Sequence, residues 1–201
     1  MKQTCSGVIL AGGLSTRYGG ENKAFLRVGG ARILDRLFAA YTDLFDEIIL
    51  VTNNPLEFLE WDVMIVSDLF PVRSSLTGIH AGLFYASNPF AFFTACDTPF
   101  LKKEVIATVL EHIDPAADLV VPQTSAGLEP LCAAYSKRCL KPAEDHLRLN
   151  KLKIQMALNK CRIKRIPEER LRARDPDLVS FFNVNTPQDL ARAEELLAAG
   201  T

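Results

Sequence analysis

Short apolar runs recur along this chain, and most of them stop at glycine, asparagine or aspartate. That alternation constrains the fold more than any other feature. SGVILA (6–11) ends at Gly12-Gly13 and EIILV (47–51) gives way to the turn-like TNNP. VMIV (63–66) ends at Asp68, and AFFTAC (91–96) ends at Asp97. Short β-branched or aromatic runs bounded by turn residues read as buried strands. Between them the apolar period lengthens. Ile33, Leu34, Leu37, Phe38 and Tyr41 fall at helical spacing, predicting a helix over 31–42. Residues 77–87 read as a second helix, and Val105, Ile106, Val109, Leu110 and Ile113 mark a third.

The later half continues with strands at DLVVP (118–122) and LCAAY (131–135), then helices over 137–148 and 151–159. CRIKRI (161–166) reads as an edge strand, and the last helix begins near Thr186. Strands alternating with helices predict an α/β fold with a mostly parallel sheet covered on both faces. The closely spaced late strands add some antiparallel, mixed pairing. No repeat, low-complexity tract or linker interrupts the chain, so residues 1–201 read as a single domain of three αβα layers.

Composition narrows the function classes. The chain has 201 residues, 48% of them hydrophobic, and a net charge of −1. That balance argues against a broad electrostatic footprint for nucleic acid or an anionic membrane. No apolar run approaches a membrane span and the N-terminus has no signal-peptide pattern, so the expected location is cytoplasmic. The five cysteines and three histidines are scattered, without CxxC or metal-ligand spacing, so neither a zinc site nor a disulfide framework is expected.

Open α/β sheets bind ligands beyond the carboxyl ends of their strands. The polar punctuation falls there, nominating one rim as the site. In the opening loop Gly12, Gly13, Gly19 and Gly20 bracket Ser15, Thr16 and Arg17, with Lys23 beyond. Glycines let backbone N–H groups converge on an anion, while hydroxyls and two cations complete a triphosphate cradle. The same composition also suits a solvated βα turn. The loop is neither GxGxxG nor Walker A, because Lys23 is followed by Ala24. Asp97, in TACDTPFL, is placed to hold Mg²⁺, which takes one or two carboxylates plus phosphate oxygens. Asp68 occupies a similar strand end; for both, a turn aspartate is the other reading.

Asn53 and Asn54 each offer a donor and an acceptor to a base edge, or simply a turn before Pro55. Near the end, Thr186, Pro187 and Asp189 form a helix start of the capping-box type. Asn183 and Asn185 flank Val184 on a segment read as extended, so they would point the same way and close the site, or form a polar turn.

LAGGLSTRYGGENKAFL, DLFPVRSSLTGIHAGL, TACDTPFL, EPLCAAY and FFNVNTPQDL occur in that order across nearly the whole chain. As an ordered set they resemble the molybdenum cofactor guanylyltransferases, within the wider glycine-loop nucleotidyltransferases. The resemblance implies a Rossmann-like nucleotidyltransferase that joins GTP to molybdenum-bound molybdopterin, with Mg²⁺ as cofactor and pyrophosphate released. It implies that Leu10, Ala11, Gly12 and Gly13 begin the nucleotide loop and that Arg17 and Lys23 meet the triphosphate. It implies a base-side role for Asn53, the register against Asn54 staying open by one. Asp68 lies on the nucleotide side, Asp97 binds the magnesium, and Asn183 and Asn185 approach the catalytic centre.

Transient contacts with donor and acceptor proteins of the cofactor also follow from the resemblance. Its alternatives are a molybdopterin cytidylyltransferase using CTP and, from another class, a nucleotide-binding regulatory domain without turnover. The pattern departs from the family at Asn22, where aspartate is common, at Tyr18, and at Ser74-Ser75-Leu76-Thr77-Gly78, where Gly-Pro-Leu-Ala-Gly is usual. The pterin side is poorly marked: Arg148, Lys151, Lys153, Lys164 and Arg165 are candidates for its phosphate, or solvated faces.

Overall fold

The structure is a computed structural model that describes residues 5–12 and 23–200. Gly13, Arg17, Tyr18 and Asn22 lie outside the described residues. Strand β1 (Cys5–Leu10) sits inside a sheet with β4 (Ile48–Val51), β5 (Met64–Val66) and β6 (Phe90–Ala95). The sheet continues with β7 (Leu119–Thr124), β9 (Cys132–Ser136) and β10 (Ile163–Pro167), while β8 (Gly127–Leu128) pairs with β7. The spatial order is β10-β7-β9-β6-β1-β4-β5. Pairings of β1 with β4 and β6, β4 with β5, and β10 with β7 are parallel. β9 runs antiparallel to both of its neighbours. The expected mostly parallel, mixed sheet is therefore the observed one, and CRIKRI forms its edge.

Helices cover both faces. One face packs α1 (Ile33–Thr42), α3 (Lys103–Glu111), α6 (Glu168–Arg172) and α7 (Pro187–Ala198) through Leu34, Val105, Leu171 and Ala193. The other packs α2 (Ser75–Tyr85), α4 (Leu140–Arg148) and α5 (Ile154–Ala157) through Leu76, Ile79, Leu147 and Ala157. Period-two alternation decides the split within a strand: Phe90 and Phe92 face the first core, Ala91 and Phe93 the second. α2 is buried from Leu76 to Leu83 because it lies between the sheet and α4. Its Gly82 has no room for a side chain: an added Cβ would sit 2.6 Å from Phe93 and 2.7 Å from Val8.

Four expected helices change extent; that read over 77–87 is α2, shifted to Ser75–Tyr85. The segment 31–42 becomes helical only at Ile33, because β3 (Ala31–Arg32) pairs with β2 (Arg27–Val28) in a hairpin. Gly29 and Gly30 have φ of 59° and 79°, the left-handed conformation that such a two-residue turn demands. The segment 137–148 opens as a 3₁₀ turn at Lys137–Cys139 before α4. The segment 151–159 keeps only α5.

The chain runs from β1 outward to β4 and β5, then returns to β6 on the other side of β1. Strand order thus reverses between β1 and β6, and a crevice forms at their carboxyl ends. Leu10 and Ala95 are paired there, and the Cys96 amide donates to the Leu10 carbonyl at 3.0 Å.

Candidate active site

A cavity of about 290 Å³ opens at that crevice. Leu10, Gly12, Lys23, Asp68 and Asp97 all line it, so one space gathers residues from four separate parts of the chain. Gly12 leaves β1 just after Ala11, whose amide donates to the Val51 carbonyl at 2.8 Å and which is itself buried in the core. Lys23 begins a short 3₁₀ turn whose next residue, Ala24, is fully buried. The position that a Walker A loop gives to a hydroxyl is thus a core position here.

Asp97 follows β6. Burial raises its carboxyl above the ordinary carboxylate value, and the nearby Lys23 ammonium opposes the rise. Its Oδ1 is buried and has no hydrogen-bond partner among the described residues. Among the described residues no three His, Cys, Asp or Glu side chains cluster to hold a metal. One buried carboxylate oxygen lacking a partner beside an open cavity fits a hard cation that completes its shell with phosphate oxygens and water.

Asp68 lines this cavity, and Asn53 lines an adjoining one that shares Asp68 and Arg73. Asn53 Nδ2 donates to Asp68 Oδ2 at 2.8 Å, so the two strand-end residues form one polar unit. The Asp68 carboxyl is also raised by burial, with the Asn53 hydrogen bond and the Arg73 charge opposing. Asn54 turns away: it is exposed, and its Nδ2 reaches Glu57 at 3.3 Å.

The C-terminal segment reaches the same place. Val184 is fully buried, and its amide donates to the Asp97 carbonyl at 2.8 Å. Lys23 Nζ donates to Asn185 Oδ1 at 2.7 Å. The capping box at Thr186 and Asp189 is present as expected, and Asp189 Oδ2 additionally accepts from the Asn185 amide at 2.9 Å. The helix start therefore fixes the backbone of the residue that meets Lys23. Asn183 is not brought to Lys23; it is exposed, with its amide toward the Phe181 carbonyl at 3.5 Å.

Some cavity residues lie in the resembled motifs but are not among the site candidates read from the sequence. Arg73, Ser74, Ser75, Gly78 and Leu131 line the space. Ser74 caps α2 by accepting from the Thr77 amide at 3.1 Å, and Thr77 Oγ1 donates to the Val72 carbonyl at 2.9 Å. This hydroxyl pair stiffens the loop where the resembled family has Gly-Pro; an S-x-x-T spacing was its only signal. Of the pterin-side candidates, Arg148 pairs with Glu144 at 2.6 Å and Lys164 with Asp114 at 3.6 Å. Lys151, Lys153 and Arg165 are exposed.

A family model described as the MobA-like NTP transferase domain matches residues 7–162. A molybdenum cofactor guanylyltransferase from Desulfosudis oleivorans is 48% identical over 195 residues, covering 97% of this chain and 96% of that protein. The crystal structure of molybdopterin-guanine dinucleotide biosynthesis protein A from Archaeoglobus fulgidus superposes with a TM-score of 0.83 at 29% identity. It covers 96% of this chain and 99% of that one. The 2-C-methyl-D-erythritol 4-phosphate cytidylyltransferase from Thermus thermophilus shares the fold, with a TM-score of 0.70 at 21% identity over 96% of this chain and 98% of that one. The match over most of the chain, and the relative at nearly half identity, make this a nucleotidyltransferase that belongs to the MobA-like NTP transferase family.

Proposed function

We propose that the chain transfers GMP from GTP to molybdenum-bound molybdopterin, forming the guanine dinucleotide cofactor and releasing pyrophosphate. The observation that carries this reading is the single cavity shared by Gly12, Lys23, Asp68 and Asp97, in a chain so close to a guanylyltransferase. Asp97 would hold Mg²⁺, and the buried Oδ1 without a partner supports that assignment. When bound, the ion would supply Lewis-acid and templating chemistry to phosphate oxygens.

This chain's own residues have separable tasks. The terminal phosphate of molybdopterin attacks the α-phosphorus, and it needs no strong protein base because it is already ionised near neutral pH. Lys23, with Arg17 on the same loop, neutralises charge that grows on the departing pyrophosphate. Asn185 holds the Lys23 ammonium in position. The phosphate path is assigned to the backbone at Leu10, Ala11 and Gly12, where β1 ends at the cavity. Asn53 and Asp68 lie toward the nucleoside. Because the Asn53 amide donates to Asp68, its Oδ1 remains to accept. Guanine offers N1–H and 2-amino donors, so an outward acceptor suits it better than cytosine, which offers a single amino donor. Transient docking to cofactor donor and acceptor proteins would take place outside the cavity.

Among the described residues no helix is long and apolar enough to cross a membrane, and we place the enzyme in the cytoplasm. The test is a side-by-side assay of GTP and CTP with Mg²⁺ and molybdenum cofactor, following pyrophosphate and the dinucleotide product. Guanine dinucleotide is expected. Preferential use of CTP would replace the reading with a cytidylyltransferase, and no pyrophosphate from either would remove turnover.

A further inference from the structure

Cys139 and Cys161 are far from the cavity's chemistry and separated by 22 positions in sequence, yet their sulfurs lie 3.9 Å apart. Cys139 ends the 3₁₀ turn before α4 and is fully buried. Cys161 precedes β10 and is partly exposed. The Cys139 sulfur also lies 3.1 Å from the Asp118 carbonyl. Cys5, Cys96 and Cys132 are buried, and burial pushes the first two up to about 12. One partly exposed thiol with a second thiol directly behind it is the arrangement of an attacking and a resolving cysteine. Two sulfurs alone do not make a metal site, and no third ligand joins them among the described residues.

We propose that Cys139 and Cys161 form a reversible intramolecular dithiol–disulfide couple, oxidised by small-molecule disulfides. The Cys161 thiolate attacks one sulfur of the oxidant, forming a mixed disulfide and expelling one small thiolate. Cys139 then gives its proton to solvent and attacks the Cys161 sulfur, expelling the second small thiolate. Two protein thiols lose two electrons and the oxidant gains them. The neighbouring Cys139 thiol lowers the Cys161 thiol and so favours the thiolate that attacks first. Closing the bond requires the sulfurs to approach from 3.9 Å to about 2.05 Å. The bridge would tie α4 and α5 into a closed loop against the edge strand β10. In a reducing cytosol the pair rests as the dithiol.

The full-length protein is incubated with oxidised glutathione, free thiols are alkylated, and the products are mapped by peptide mass spectrometry. The expected result is loss of both Cys139 and Cys161 from alkylation and a disulfide-linked peptide pair joining them, reversed by dithiothreitol. Cys139→Ala should instead stop at one glutathione on Cys161. Wild-type protein that retains both thiols, accumulates glutathione on Cys161, or links these cysteines between two molecules would overturn the proposal. The wild-type mapping stands even if the variant does not fold.

Discussion

Lys23 donates from Nζ to Asn185 Oδ1 over 2.7 Å, across 162 positions of sequence. The neighbouring amide, that of Val184, binds the Asp97 carbonyl at 2.8 Å. Two successive residues thus tie the C-terminal segment to the Lys23 side chain and to the Asp97 backbone. Asn185→Ala leaves the ammonium without this partner. A hydrogen bond to a charged group is worth about 1.5–3 kcal/mol, so kcat/KM for GTP should fall at least about tenfold. Steady-state kinetics with GTP varied at saturating acceptor check this, and an unchanged kcat/KM would remove Asn185 from the site. Asn183→Ala, at an exposed position, should change kcat/KM less.

Asp97→Asn separates the needs of catalysis from those of stability. The substitution keeps the shape and removes the charge, so turnover should fall by about 100-fold or more and the Mg²⁺ requirement should rise. Without ligands the sign for stability reverses. Burial raises the native Asp97 carboxyl above its unfolded value. Such a group contributes stability below the unfolded value and loses it as pH rises through the raised one. At neutral pH the ligand-free Asp97→Asn protein should therefore melt no lower than wild type. That advantage should shrink as pH falls into the ordinary carboxylate range. Mg²⁺ with GTP should stabilise wild type more than the variant. Thermal melts across pH test both halves, and a variant less stable at pH 7 than at pH 4, relative to wild type, contradicts the assignment.

The rim was legible before the structure because strand ends carry their polar residues in the sequence itself. Gly12, Asp68 and Asp97 each follow a short apolar run, and a parallel sheet delivers such ends to one side. The hairpin at Arg27–Arg32 had a signal in Gly29-Gly30, but the helical spacing that begins at Ile33 extended the helix over it. Asn185 was legible only as a pair with Asn183, since extended geometry puts both on one face. The distinction between them comes from the capping box, which fixes Asn185 and leaves Asn183 outside. The Cys139–Cys161 contact had no local signal at all, because it depends on β7 and β10 lying side by side.

Base choice should follow Asn53 and not Asn54. Asn53 is held by Asp68 on the cavity side, whereas Asn54 is exposed and engaged with Glu57. Asn53→Ala removes the side-chain amide bound to Asp68 and, under the proposed reading, an acceptor for the base. The ratio of kcat/KM for GTP over CTP should fall about tenfold, in line with one lost polar contact. Asn54→Ala should leave that ratio within about twofold, the scale of a surface substitution. Competition assays with both nucleotides decide between the two positions; selectivity lost with Asn54 would move the base-reading role by one residue.

Gly82→Ala should couple fold stability to the cavity. The new methyl would meet Phe93 at 2.6 Å and Val8 at 2.7 Å, and both residues are fully buried on the central strands. Neither can yield without disturbing the sheet, so α2 must move. Overpacking costs about 1–3 kcal/mol, and the better helix propensity of alanine returns at most about 1 kcal/mol. A net loss of about 1–2 kcal/mol should appear as a lower denaturant midpoint with an unchanged slope. The same displacement should reach the reaction, because Ser74, Ser75 and Gly78 at the start of α2 line the cavity. KM for GTP should rise by more than twofold while kcat changes less, since Lys23, Asp97 and Asn185 are carried by other elements. A variant with full stability and an unchanged KM would show that the methyl is accommodated without displacing α2.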